Sequence, residues 1–207
     1  MKLFKNSLSF ACSILIIAPL LSYHGRAVEE GKYVVDKKES VVTWKGSMQF
    51  VPQNAHVGYA YIFAGNLMVE KGQLVGGTVV VDMNTIADKD HGSDNDLVNH
   101  LKSPDFFDVK KFPLSTFTIT TVAPANGENV NVTGNLTIKG ITHVVTFPAK
   151  IEVNTGVINA TGKVIIDRTK WDVRYNSGKF FDNLADETIS DNIELDLKIV
   201  ARNKKNE

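Results

Sequence analysis

Cysteine is all but missing from these 207 residues: the one thiol, Cys12, stands inside the N-terminal apolar run. Disulfide staples, thiol catalysis and cysteine-built metal sites are excluded from the rest of the chain, whose stability must come from packing. A surplus of charge is missing too. Lys and Arg number 23 against 23 for Asp and Glu, so no global field draws the protein to nucleic acid or an anionic surface, and no nucleic-acid partner is expected. Nucleotide-binding and nucleophile motifs are absent: no Gly-x-Ser-x-Gly elbow, phosphate loop or dinucleotide fingerprint occurs, so no catalysis and no cofactor is predicted. His56, His91, His100 and His143 are too scattered for a short metal-ligand spacing, and His100 and His143 read as structural. Asp88, Asp90, Asp94, Asp96, Asp105 and Asp108 do not follow the register of a calcium loop, so they read as a solvated loop with helix caps, and no metal site is predicted.

Long hydrophobic runs are missing except at the N-terminus. Lys2 and Lys5 precede an apolar stretch over 8–21, and Gly25-Arg26-Ala27 follows with small residues. This is the grammar of a cleaved export signal, too short to span a bilayer comfortably. A signal peptide over 1–27 is predicted, placing the mature protein in a periplasm or outside the cell. Ser13 to Leu21 continue the apolar run past Cys12, which argues against a lipidated cysteine. The remaining 28–202 form one domain, and 203–207 form a polar tail.

Helical periodicity is nearly absent from that domain, and period-two alternation dominates. Over 130–139, Val130, Val132, Gly134, Leu136 and Ile138 face one way and Asn, Thr and Lys residues the other. The pattern recurs with Val145, Phe147, Ala149, Ile151 and Val153, where Pro148 demands a strand irregularity. It recurs again with Ile158, Ala160, Gly162, Val164 and Ile166, and with Ile193, Leu195, Leu197, Ile199 and Ala201. Earlier phases are Val42, Trp44, Gly46, Met48 and Phe50, then Tyr59, Tyr61, Phe63, Gly65 and Leu67; further strands cover 78–86 and the segment of Phe117 and Ile119. Turn residues at Lys71-Gly72, Asn126-Gly127, Lys139-Gly140 and Thr155-Gly156 divide the runs. About eight antiparallel strands result, in an up-and-down β-barrel or a sandwich. Only 94–111 breaks the pattern; it predicts one or two short helices, with Asp94 as N-cap and a second turn starting at Ser103-Pro104-Asp105.

A barrel of about eight strands is either filled by side chains or holds one small ligand. Gly46, Gly65, Gly134, Ala149, Ala160 and Gly162 are small residues on apolar faces and leave volume unfilled. Alternatively these glycines serve curvature and bulges while Trp44, Met48, Phe63, Phe117 and Phe147 fill the centre. Periodicity alone leaves both open.

The segment His100-Leu101-Lys102-Ser103-Pro104-Asp105-Phe106-Phe107-Asp108-Val109-Lys110-Lys111-Phe112-Pro113 closely resembles the helical signature of the YceI-like family of bacterial polyisoprenoid-binding proteins. Gly134-Asn135-Leu136-Thr137-Ile138-Lys139-Gly140-Ile141-Thr142-His143 is similar to its central hairpin. Asp167-Arg168-Thr169-Lys170-Trp171 resembles its Asp-Arg-x-x-Trp segment, and Ile189 to Leu195 its closing strand. The resemblance runs in order from about Tyr33 to Ala201, with departures at Val144, where Pro is common, and Asp172, where Gly is common. It implies a lipocalin-like antiparallel barrel whose interior takes a polyisoprenoid, an isoprenoid quinone or a fatty-acid-like lipid, and it is compatible with a homodimer.

On that reading the cavity lining is Trp44, Met48, Phe63, Leu67, Phe117, Ile119, Leu136, Ile138, Phe147, Ala160, Gly162, Val164 and Trp171. Arg168, Lys170 and Arg174 are candidates for a head group at the barrel mouth. The alternative for that polar group is an Asp167–Arg168 pair with Trp171 closing one end of the core. Phe180 and Phe181 are candidates for a flap over the opening. Two other functions compete: a stress-response or interaction module with a filled core, and an enzyme acting on isoprenoid lipids through Asp167, Arg168 or His100.

Overall fold

The computed structural model describes residues 30–53, 55–127 and 129–203. The predicted signal peptide and all but the first residue of the predicted tail lie outside the described residues. Alternation becomes strands: β1 (Gly31–Val35), β2 (Val41–Ser47), β3 (Ala55–Glu70), β4 (Gln73–Asp88), β5 (Leu114–Pro124), β6 (Asn129–Ile138), β7 (Ile141–Asn154), β8 (Val157–Asp167) and β9 (Asn192–Asn203). From β2 to β9 each strand pairs with the next in antiparallel register, and β9 returns to β2 through Val41↔Lys198 and Lys45↔Glu194. β1 lies between β3 and β9 in the slot that β2 fills further along. The closed up-and-down barrel thus has eight staves, one of them made of two strands interrupted at 36–40. At that break the buried Ser40 hydroxyl accepts from the Val200 N–H at 2.9 Å and donates to the Val200 carbonyl at 3.2 Å, which also accepts from the Asp36 N–H at 2.8 Å, so both backbone groups are answered across the interruption.

One helix, α1 (Asp96–Lys102), follows β4. Its N-cap is Asn95 rather than Asp94: the Asn95 side chain accepts from the Val98 N–H at 3.0 Å, and Val98 and Leu101 are the buried face. The segment after Ser103 makes turns rather than a second helix, with Phe106 and Val109 packed into the core.

β3 departs from the alternation read in its sequence. Ala60, Ile62, Leu67 and Val69 point inward, while Tyr61 and Phe63 stand about half exposed on the outer face. The cause is a register shift between Ile62 and Ala64, which puts the first half of the strand in one phase and the second half in the other. A single period carried across 59–67 therefore assigns Phe63 to the wrong side; Lys37 lies over its ring instead, 5.3 Å from the centroid.

The wall splays between β7 and β8. β7 pairs with β6 along its length from Ile141 to Lys150, but with β8 only from Ala149 to Asn154. Pro148 stands at the limit of the second ladder, where a residue without an N–H ends pairing. Beyond it a 3₁₀ turn, Arg168–Trp171, tucks against β7. The Lys170 carbonyl lies 2.9 Å from His143 Nε2, and the Trp171 indole N–H donates to the Leu136 carbonyl at 3.1 Å. Asp172 ends this turn in the left-handed region at φ 59°, which explains why a glycine would suit the position. It keeps its place with its carbonyl accepting from Lys139 Nζ and its carboxylate 2.7 Å from Arg174 Nε.

Candidate functional site

Two apolar groups close the barrel. At the β1 end, Tyr33, Leu67, Val69, Leu74, Ile158 and Ala201 pack together; at the α1 end, Val98, Leu101, Phe106, Val109 and Val173 do. Between them the axis is not filled. A chamber of about 130 Å³ is lined by residues that include Leu67, Leu74, Phe117, Ile119, Phe147, Ala160 and Leu197, with no charged residue. A second, of about 410 Å³, lies beneath α1 and is lined by residues that include Trp44, Gly46, Met48, Met83, Leu97, His100, Phe106 and Ile193. Val42, Val81, Ser115 and Leu195 belong to both linings, so the two spaces adjoin.

The lumen stays open because large aromatic side chains are drawn onto the wall. Trp44 faces Gly58 across the β2–β3 ladder, and a first side-chain carbon at Gly58 would run into its indole. Phe117 lies over Gly134, where such a carbon would fall 2.5 Å from Cζ, and Phe147 over Gly162, 3.0 Å from Cε2. Each ring occupies the space a neighbouring side chain would take. The small inward residues therefore divide into two groups. Gly134 and Gly162 receive rings and Gly65 receives Val35, whereas Gly46 has nothing within 4 Å of a built Cβ and Ala160 faces the smaller chamber.

Of the residues expected to line a cavity, Leu67, Phe117, Ile119, Leu136, Phe147, Ala160, Gly162 and Val164 border the smaller chamber, and Trp44, Met48 and Ile138 the larger. Phe63 does not, for the reason given by the β3 register shift. Trp171 borders neither chamber; it is 1% exposed and fills the splayed seam behind the wall. The sequence reading missed Ser115, Leu195 and Ile193, and it gave His56 and His100 no place in the lumen. Leu195 and Ile193 were legible from the alternation of the last strand, whereas only the fold brings α1 over the barrel end.

Of the head-group candidates, Arg168 alone borders a chamber. Lys170 is exposed and borders neither chamber, and neither does Arg174, which is exposed, pairs with Asp172 and lies over the Phe180 ring at 4.7 Å. Arg168 does border the larger chamber, but its guanidinium donates to three carbonyls: Val173 at 2.8 Å, Ser190 at 3.0 Å and Ile189 at 3.1 Å. Burial pushes its pKa below the usual arginine value, with Asp191 and Asp167 opposing. Its acidic neighbour is Asp191, at 3.7 Å, whereas Asp167 pairs with Lys179 at 2.7 Å. Phe180 and Phe181 are about half exposed and border neither chamber.

Asp167 carries a pH dependence. Burial pushes its carboxyl up, but Lys179 and then the hydroxyl and N–H of Thr169 outweigh it and hold the pKa below 3.8. A carboxyl lower in the folded than in the unfolded state stabilises fully above the unfolded value, and that stability is lost as pH falls through the folded value. The destabilisation caused by Asp167→Asn is therefore expected to be largest near neutrality and to shrink below pH 3.8. Urea unfolding of both proteins at neutral and acid pH measures this; a gap that widens on acidification contradicts it. In the acidic loop, Asp88 is buried and accepts from the N–H groups of Asp90 and His91, each at 2.9 Å, with His91 Nδ1 at the same distance.

The YceI-like domain family model matches residues 33–201. Protein YceI of Salmonella arizonae is 33% identical over 154 residues, covering 71% of this chain and 72% of the relative. The crystal structure of Burkholderia cenocepacia BcnA matches with a TM-score of 0.64 at 24% identity, over 81% of this chain and 99% of that one. A polyisoprenoid binding domain from Saccharophagus degradans, implicated in plant cell wall breakdown, matches with a TM-score of 0.61 at 13% identity, over 84% and 99%.

Proposed function

This chain belongs to the YceI-like family, and we propose that it is an exported, non-catalytic protein that holds a polyisoprenoid or similar long-chain apolar lipid in its barrel. The observation that carries this reading is the pair of adjoining apolar chambers along the axis. Each buried methylene is worth about 0.8 kcal/mol, so ten of them supply ~8 kcal/mol, the micromolar range before ordering costs. The S. degradans neighbour, described as polyisoprenoid binding, supports the ligand class. A filled-core interaction module is disfavoured by the same chambers. The Asp167–Arg168 neighbourhood, the place offered for turnover, serves to hold the loop that follows. Export to a periplasm or the medium rests on Lys2, Lys5, the apolar run over 8–21 and Gly25-Arg26-Ala27.

The full chain, expressed in bacteria and purified from the exported fraction, is expected to release a neutral long-chain lipid on solvent extraction. Mass spectrometry identifies the lipid, and the intact mass of the same sample reads whether the protein begins at residue 28. If no lipid co-purifies and the protein takes up no fluorescent apolar probe, the proposal fails.

A further inference from the structure

We propose that two turns at the α1 end of the barrel form a docking rim for a zwitterionic phospholipid bilayer, with Phe50, Phe180 and Phe181 as the side chains that enter it. The proposal rests on the reading of the chain as a lipid binder and adds the surface at which its cargo is exchanged.

Both turns grow out of one short ladder in the wall of the larger chamber. Met48 pairs with Ile189, the Gln49 N–H donates to the Thr188 carbonyl at 2.8 Å, and the Ser190 N–H donates to the Ser47 carbonyl at 2.9 Å. On one side of this ladder the chain runs on through Phe50. On the other, the Ile189 N–H donates to the Asn176 carbonyl at 2.9 Å, and the turn after Asn176 is closed by the N–H groups of Phe180 and Phe181, which donate to the Ser177 carbonyl at 3.0 and 3.1 Å. Met48, Ile189 and Ser190 line the chamber, whereas the three phenylalanines line neither chamber. Phe50 is 64% exposed, Phe180 46% and Phe181 48%. Among the described residues four phenylalanines are exposed, and three of them stand on these two turns. A lone exposed apolar side chain is ordinary, but their concentration at one end of a barrel marks a contact surface.

Charge and size identify what the rim meets. Residues 48–53 carry no charge, and the one charge between 177 and 181, Lys179, is answered by Asp167 at 2.7 Å and Asp191 at 3.1 Å. Arg174, whose guanidinium lies over the Phe180 ring, is paired with Asp172. Asp182, Asp186 and Glu187, just beyond, are exposed, so an anionic surface is repelled and a zwitterionic one is not. A stable protein interface takes about 20–30 residues a side, and three rings on two turns fall well short of that. A bilayer accepts a few apolar side chains without matching their shape, and it binds them in proportion to the apolar area they bury. A long-chain lipid has to leave such a bilayer to reach the lumen.

Flotation of the mature protein with phosphatidylcholine vesicles reads the docking directly. The unmodified protein is expected to float with them. The triple variant Phe50→Ser, Phe180→Ser, Phe181→Ser is expected to lose at least about tenfold in vesicle affinity, ~1.4 kcal/mol. It still takes up a soluble apolar probe as tightly as the parent, since none of the three side chains borders a chamber. Phe63→Ser, where Lys37 lies over the ring on the outer face of β3, leaves both readouts unchanged. Phe50→Ser alone loses part of the vesicle affinity and serves if the triple variant does not fold. Replacing part of the lipid by phosphatidylglycerol weakens docking at low salt. An unmodified protein that ignores the vesicles, a triple variant that floats as well as the parent, or docking that requires phosphatidylglycerol overturns the proposal, and probe uptake then keeps the lipid reading standing. Loss of probe uptake in the unmodified protein removes the lipid reading instead, and flotation that depends on the three phenylalanines still supports the docking surface.

Discussion

Arg168→Met is expected to destabilise the protein by about 3–5 kcal/mol, a large part of the ~5–15 kcal/mol that holds a domain folded. The reasoning starts from burial: the side chain is 1% exposed and sits 5.5 Å from the Phe106 ring centroid. Its guanidinium donates to the carbonyls of Val173, Ile189 and Ser190, and its own backbone N–H donates to the Asp191 carbonyl at 2.8 Å. One residue thus ties the end of β8 to both limbs of the loop between β8 and β9. Methionine matches much of the volume but leaves three carbonyls unanswered, each costing ~1–3 kcal/mol if it stays buried. Lysine does not rescue the fold, because one ammonium cannot reach three carbonyls that a planar five-donor fork reaches at once. Thermal unfolding followed by circular dichroism should show a midpoint about 10 °C lower for either variant. A loss under about 1 kcal/mol would falsify the role of Arg168 as the pin of this loop. Because Arg168 also borders the larger chamber, the variants lose ligand binding together with stability, which separates this residue from a head-group ligand that could be removed with the fold intact.

What the sequence made legible was set by how local each cause is. Alternation is a property of neighbouring residues, so the four strands from β6 to β9 and the turns between them follow from it directly. Phe63 was misplaced because a bulge leaves no compositional mark: the residues around Ile62 and Ala64 alternate acceptably in either phase, and only pairing with β4 selects the shift. Trp171 was assigned to the lumen because it is large and apolar, yet its place is decided by Pro148, some twenty residues earlier in the chain, which ends the β7–β8 ladder and opens the seam that the indole fills. Arg168 illustrates the same limit. A cation beside Trp171 and Tyr175 reads as a ligand for an anion or, by preference, as the structural partner of Asp167, and the carbonyls it meets come from 173 and 189–190, which no spacing in the sequence singles out. The glycines gave half an answer. Their presence on the inward face was visible, but which of them leave space and which receive a ring depends on the residue diagonally across the ladder: Phe117 for Gly134 and Phe147 for Gly162.

That division of the glycines selects the substitution that tests the lumen most cleanly. Gly46→Phe is expected to reduce uptake of an apolar probe at least about tenfold, a loss of ~1.4 kcal/mol or more, while the protein stays folded. Gly46 shares the inward face of β2 with Trp44, and with Met48 just beyond the strand it borders the larger chamber. A Cβ built there meets nothing within 4 Å, so the ring enters open space rather than a packed wall. Filling an apolar cavity stabilises by the area buried, up to ~1.5–3 kcal/mol for a phenyl group, so the unfolding midpoint should hold or rise. Gly162→Phe looks equivalent in the sequence and is not: its Cβ would fall 3.0 Å from Phe147 Cε2 and 3.3 Å from the Pro148 carbonyl, so that variant loses ~1–3 kcal/mol to overpacking, and any fall in uptake would be ambiguous. Ala160→Trp provides the matching test in the smaller chamber, where it should shorten the longest chain accepted rather than abolish binding. Titration of a fluorescent apolar probe alongside urea unfolding of each variant separates the two effects. Uptake by a folded Gly46→Phe protein within twofold of the parent would mean that the ligand does not lie in the chamber beneath α1, and the lipid reading would then have to rest on the smaller chamber alone.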